Sequence, residues 1–156
     1  QLAPEDRLYL DAGKNLVVPA LNIFSMLAAE NTKSAAKLFM GKPWRQVAMA
    51  IAAYTDISPV EIPLLDAGQP IQWTGTWTEK IKLHQTVSRV KGGIPNPKSR
   101  PVVTLPWQLA FELDYTENAD CSVDTLKDLI RKGGAVGVGT FRPFFGRYVL
   151  GEFRVI

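Results

Sequence analysis

The sequence predicts an α+β protein with helices packed on one side of an antiparallel sheet, and three observations carry that expectation. Apolar residues follow helical spacing between Leu21 and Ile51. Alternation of apolar and polar residues takes over between Gln72 and Tyr115. One amphipathic helix, a glycine-rich stretch and a closing strand then complete the chain. This order suits a single domain over 1–156, with a β-hairpin and loop insertion at 70–101.

Taken in order, residues 7–11 are apolar enough for a first strand, 12–15 form a turn, and 16–19 extend the strand. Leu21, Phe24, Leu27 and Ala28, then Ala35, Leu38 and Phe39, keep one helical face, predicting a helix bent near Asn31 and ending at Gly41. Pro43 suits the first turn of a further helix with Trp44, Val47, Ala48 and Ile51 on one side. Prolines bracket 60–65 and restrict it to an edge strand. Residues 72–78 and 80–90 are expected as the two arms of a ribbon. In the second arm Ile81, Leu83, Gln85 and Val87 alternate with Lys80, Lys82, His84, Thr86 and Ser88, so one face is apolar and the other basic. Residues 91–101, with Gly92-Gly93 and three prolines, are expected as a loop. The longest expected strand is 102–115, with Leu105, Trp107, Leu109, Phe111, Leu113 and Tyr115 toward the core. Ser122 is a good N-cap for a helix that turns Leu126, Leu129 and Ile130 inward, and 147–156 is expected as the last strand.

Composition narrows the chemistry. At 156 residues, 46% hydrophobic and 21% charged, the chain has the balance of a soluble globular domain, and no apolar run is long enough to cross a bilayer. Cys121 is the only cysteine and His84 the only histidine, so neither an internal disulfide nor a conventional zinc set is available. A reducing, cytoplasmic location is expected, with no metal, no cofactor and no membrane partner. His84 has no nucleophilic partner at a suggestive spacing, Cys121 suits a small buried filler, and the acids between Asp114 and Asp128 lack calcium-loop spacing, so no catalytic set emerges.

The charge is segregated along the chain. Residues 79–100 hold six basic residues against one acid and 131–156 five against one, whereas 101–130 carry six acids and one lysine. Such segregation is what a basic surface patch leaves in a sequence. Residues 133–147 add five glycines, with Phe141, Arg142, Phe144, Phe145 and Arg147 among or beside them. Two readings are open: a plain turn in which Gly133 is the left-handed C-cap of the preceding helix, or a backbone that lets a partner come close while arginine meets phosphate and an aromatic ring meets a base.

Residues 18–27, Val-Pro-Ala-Leu-Asn-Ile-Phe-Ser-Met-Leu, resemble the point where RAMP proteins, the backbone and processing subunits of CRISPR effector complexes, pass from first strand to first helix. Residues 129–147 resemble their glycine-rich loop ahead of a closing strand. The string Gly-x-Gly-x-Phe-Arg-Pro-x-x-Gly-Arg at 137–147 is also similar to small proteins of phages and mobile elements. The resemblance covers both ends of the chain and implies a ferredoxin-like (RRM-like) core, RNA held against the sheet and glycine loop, and a protruding hairpin where 73–100 lie. It also implies a bacterial or phage-infected cell. Nuclease members carry a catalytic aspartate in a longer loop between first strand and first helix, whereas here Asp11 stands by a short turn; processing members often use a histidine, and His84 lies in the ribbon.

The expectation is therefore a non-catalytic protein that binds RNA or another single-stranded nucleic acid. Lys80, Lys82, Arg89, Lys91, Arg100, Arg142 and Arg147 are assigned to the phosphates, Phe141 to a base, and Gly137 and Gly139 to close approach. Lys98, Arg131 and Lys132 add charge, and Trp73 and Trp77 are further stacking candidates. The rivals are a phage structural or assembly protein, self-assembling or bound in a protein complex, and an inhibitor that meets a CRISPR-type complex through protein contacts. In the assembly reading the arm 92–101 orders on binding.

Overall fold

A computed structural model describes residues 3–89, 95–139 and 146–156, and of 86–89 and 95–98 the backbone alone. Helices and small antiparallel sheets make up an α+β chain that divides into two compact units, Gln1–Val18 with Glu61–Ala110, and Pro19–Val60 with Phe111–Ile156. No helix among the described residues is long and apolar enough to cross a membrane.

The first unit begins with a 3-10 turn, Pro4–Arg7, and 7–11 do not form the expected first strand; proline's fixed φ suits the first position of such a turn. Leu10 makes only an isolated bridge to Leu16. Between them Asp11 Oδ1 accepts from the amides of Gly13 and Asn15, both at 2.9 Å, which fixes the expected turn. Strand β1 (Val17–Pro19) pairs with β3 (Glu61–Pro63), and β4 (Leu65–Asp66) forms a tight hairpin with β5 (Gln69–Pro70). Leu16, Leu64, Ile71 and Ile81 are the buried centre of this unit.

Its ribbon differs from the expected one. Strand β6 (Ile81–Arg89) pairs antiparallel with β7 (Pro95–Val103), not with 72–78, so much of the expected loop is strand. The reason lies in the spacing of the prolines. The Thr104 amide donates to the Lys80 carbonyl at 2.9 Å, which makes the even-numbered pairs of the register the hydrogen-bonded ones. Pro95, Pro97 and Pro101 all occupy odd positions, where a backbone N–H faces away from β6, so their missing donors break no ladder bond. They also leave the outer edge of β7 poor in donors for a stray strand.

In the second unit, Pro19 leads directly into α1 (Ala20–Ala28), which buries Ala20, Ile23, Met26 and Leu27. The single bent helix expected here is two helices. The chain is extended at Ala29, and α2 (Ala35–Phe39) starts afresh at Ser34, whose Oγ accepts from the Lys37 amide at 3.3 Å within a fully buried residue. Helix α3 (Trp44–Tyr54) follows Pro43 as expected and runs straight into β2 (Thr55–Ser58). Strand β2 pairs antiparallel with β8 (Glu112–Tyr115), Thr55 opposite Tyr115 and Ile57 opposite Leu113.

Residues 102–115 are thus strand only at their ends. Pro106 interrupts the run, Leu105 is 78% exposed, and Trp107 and Leu109 pack on the first unit's core, while Leu113 and Tyr115 belong to the second unit. Helix α4 (Val123–Lys132) matches expectation: Ser122 Oγ accepts from the Thr125 amide at 3.1 Å, and Leu126, Leu129 and Ile130 are buried. The closing strand expected over 147–156 is absent from the described residues. Residues 146–156 have no regular structure, with Val149 91% and Val155 78% exposed and Tyr148 the main anchor.

Candidate nucleic-acid interface

The glycines at the end of α4 serve two different purposes. Gly133 has φ −59° and ψ −18°, so it is right-handed instead of the expected left-handed cap, and the chain continues into a 3-10 turn, Gly133–Ala135. A Cβ on Gly133 would lie within 3.0 Å of both Met26 Sδ and Tyr148 Oη, and one on Gly134 would run into the Tyr148 carbonyl. Tyr148 explains that crowding: its hydroxyl donates to the Ile130 carbonyl, and its amide donates to the Gly134 carbonyl at 3.3 Å. Burial pushes its phenol above the usual tyrosine range. Close approach at these positions is made by the chain itself. Gly139 is different: its φ is +101°, and among the described residues nothing lies within 4 Å of where a Cβ would stand. Gly137, also at positive φ, is buried, with its amide donating to the Gly133 carbonyl at 2.8 Å.

Gly139 borders an open cleft of about 600 Å³ in the second unit, together with Val136. The lining also includes polar groups of Asn22 and Ser25 on α1 and of Asn31 and Lys33 on the link to α2. Asn22 and Ser25 fall at three-residue spacing on α1, beside the stripe that faces the core, and Ala29 is the extended C-cap of that helix. In the sequence Asn22 and Ser25 register only as interruptions of an apolar run. The cleft combines amide and hydroxyl groups, an ammonium and a glycine backbone, a donor-rich set suited to a phosphodiester or a ribose. Phe141, Arg142, Phe144 and Phe145 lie outside the described residues, and Arg147 is exposed just beyond Gly146.

The ribbon cations belong to the other unit and are unequal. Lys80 is tied to Asp66 at 3.2 Å and donates to the Pro106 carbonyl, so it braces the base of the ribbon. Lys82 is exposed and paired with Glu79 at 3.3 Å, a surface contact worth about 0–1 kcal/mol that a phosphate can replace. Arg100 is half-buried opposite His84 in the register, and the positions of Lys82, His84, Lys98 and Arg100 share one side of the ribbon. Arg89 falls at a position on the opposite side, in step with Ile81 and Leu83, and Lys91 lies outside the described residues. Trp73 and Trp77, ring centroids 5.0 Å apart, pack against the core of their unit instead of presenting free faces.

One basic segment escaped the charge count. Residues 31–55 hold Lys33, Lys37, Lys42 and Arg45 and no acid at all. The Lys37 ammonium lies 5.5 Å from the centre of the Trp44 ring and the Arg45 guanidinium 5.1 Å from it, and Lys37 also donates to the Glu30 carbonyl at 3.1 Å. The helical periodicity of 44–51 signals packing and says nothing of these cations. At the end of α4, by contrast, Asp128 binds Lys132 at 2.9 Å and Arg131 at 2.7 Å, and these two cations hold its carboxyl below the usual aspartate range.

Among the described residues no group of three or more His, Cys, Asp and Glu is placed to hold a metal ion. Cys121 is buried, and desolvation pushes its thiol up, away from the nucleophilic thiolate. Comparison with known proteins finds no match: no family model, curated protein or solved structure aligns with the chain.

Proposed function

We propose that this protein is a non-catalytic, RAMP-type binder of single-stranded RNA with a ferredoxin-like core, and that the cleft beside Gly139 holds the strand. The observation that carries the reading is the pairing of an open, positive-φ glycine with a polar wall of Asn22, Ser25, Asn31 and Lys33. Without a Cβ at Gly139, a phosphate or ribose reaches the backbone directly, while amide and hydroxyl groups lining the same cleft offer donors and Lys33 supplies charge. What supports the resemblance is a strand and proline leading into α1 at one end and α4 running into glycines at the other, while the closing strand it implies does not form over 146–156. Arg142 and Arg147, which follow Gly139 in the sequence, extend the contact to more phosphates, and Lys82 and Arg100 are separate phosphate contacts on the ribbon of the first unit. Each phosphate neutralised contributes about 0.7 to the salt slope of binding to a single strand.

The test is retention of a labelled, unstructured RNA at low salt, measured by fluorescence anisotropy, with release as salt rises. R142A/R147A should weaken retention with the circular dichroism spectrum unchanged. Absence of any signal change at micromolar protein refutes the proposal. A second reading, a phage structural or assembly subunit or an inhibitor acting through protein contacts, draws on one observation, the exposed apolar residues Val149, Val155 and Ile156. A mass by light scattering that rises with concentration favours self-assembly.

A further inference from the structure

We infer that single-stranded RNA leaving the cleft continues onto a second subsite formed by Lys37, Trp44 and Arg45, where a base stacks on the indole and the two cations take the flanking phosphates. The inference rests on the preceding reading and identifies where the ligand runs next. Lys33 lines the cleft, and so does Leu38, so the short stretch 33–38 that contains Lys37 connects the two places within one unit. Trp44, at the first position of α3, is half-buried, and Arg45 beside it is exposed. Among the described residues neither Lys37 nor Arg45 takes part in an ion pair. That sets them apart from Arg131 and Lys132, whose charge Asp128 already offsets.

The chemistry favours a strand with unpaired bases over an isolated anion. An aromatic face flanked by an ammonium and a guanidinium offers both partners that a nucleotide needs, a flat surface for the base and cations for the phosphates on either side. The cations already rest near the ring, so a base entering there displaces one of them only as far as the adjoining phosphate. The 25 residues from Asn31 to Thr55 contribute four positive charges and no negative one, and the field over this surface attracts a polyanion.

The deciding experiment compares wild type, K37Q/R45Q and R142A/R147A on two labelled oligouridylates, one of about 4 nucleotides and one of about 15, across a salt series. K37Q/R45Q changes exposed polar groups and leaves the indole in place. It should weaken binding of the longer RNA roughly tenfold, lower its salt slope by about 1.4, and leave the short RNA unaffected. Ultraviolet crosslinking of the longer RNA should label the peptide containing Trp44. If wild type retains the long RNA and R142A/R147A weakens it, but K37Q/R45Q has wild-type affinity and slope, the second subsite is refuted and the cleft reading stands. If wild type retains neither RNA, both fall together.

Discussion

Three alanine substitutions separate the two physical reasons a glycine is needed in this stretch. Gly139 combines φ +101° with open space among the described residues, so alanine there brings conformational strain of about 1–2 kcal/mol and no clash with them. Gly134 has no positive φ but sits against the backbone of Tyr148, whose carbonyl carbon is 3.1 Å from the point a methyl group would occupy. Alanine there crowds a backbone that is held on both sides, an overpacking cost of about 1–3 kcal/mol. Gly146 has both problems: φ is +80°, and a Cβ would meet the carbonyl oxygen of Val138, its carbonyl carbon at 2.8 Å and its nitrogen at 2.9 Å. To restore an ordinary contact of 3.4 Å the carbon alone must retreat by roughly 0.6 Å, which pulls on the Val138 amide's 3.0 Å bond to the Gly146 carbonyl. G146A should therefore cost about 2–5 kcal/mol, the sum of the other two, and lower the melting temperature by about 4–20 °C in a chain of this size. Urea or thermal unfolding followed by circular dichroism measures all three. Equal losses in G139A and G146A would refute the division into strained and crowded glycines. G139A, if it folds as expected, is also the variant in which RNA affinity should fall further than stability.

Two further predictions concern the anchors of the second unit. Tyr148 has a raised phenol pKa in the folded chain because burial disfavours the phenolate, so its contribution to stability is complete below the ordinary tyrosine value near 10 and declines as pH rises through it toward the folded value. The urea midpoint of wild type should fall between about pH 9 and 11 more steeply than that of Y148F; parallel profiles would count against burial as the cause. Ser34→Ala removes the acceptor for the Lys37 amide at the start of α2 and should cost about 1 kcal/mol, with S34D less harmful than S34A only if capping outweighs burial of the side chain.

What could be read from the sequence depended on how local its cause was. Ser122 with Leu126, Leu129 and Ile130 specifies α4 within a short stretch, and Pro43 with Val47, Ala48 and Ile51 does the same for α3. The strand alternation of 102–115 was equally regular, but periodicity does not say which partner is met. Trp107 serves one core and Leu113 lies in the other unit, with Pro106 interrupting the run. Ser34 looked like one polar residue in a bent helix, because the same hydroxyl that caps α2 sits among apolar positions of helical spacing. The candidate site was legible in its glycines, since residue type alone announces them. The rest of its lining was not: Asn22 and Ser25 carry no charge, and their place on α1 becomes meaningful only when Val136 and Gly139 line the same cleft. The Lys37–Trp44–Arg45 cluster was hidden because counting charge by segment favours the densest runs.

The ribbon gives the sharpest check on the assigned register, because prolines and hydrogen bonds must keep the same phase. Even-numbered positions of β6 and β7 exchange ladder bonds, and odd-numbered positions turn their amides outward. Ser99, opposite Gln85, is an odd position between the tolerated prolines at 97 and 101; Val102, opposite Lys82, is an even one. S99P should therefore leave the ribbon's stability within about 1 kcal/mol of wild type, since no donor toward β6 is lost. V102P removes the amide that faces Lys82 and places a ring against the neighbouring strand, a cost of about 1–2 kcal/mol or more that falls on the ribbon first. Amide hydrogen exchange reads this directly. In wild type the amides of Lys82, His84, Arg100 and Val102 should exchange more slowly than those of Leu83, Gln85 and Ser99, and V102P should erase that contrast near Lys82 while S99P preserves it. The opposite pattern, with S99P the damaging change, would mean that the strands pair one residue out of step; Lys82 and His84 would then share their side with the prolines, and the basic side of the ribbon would no longer exist.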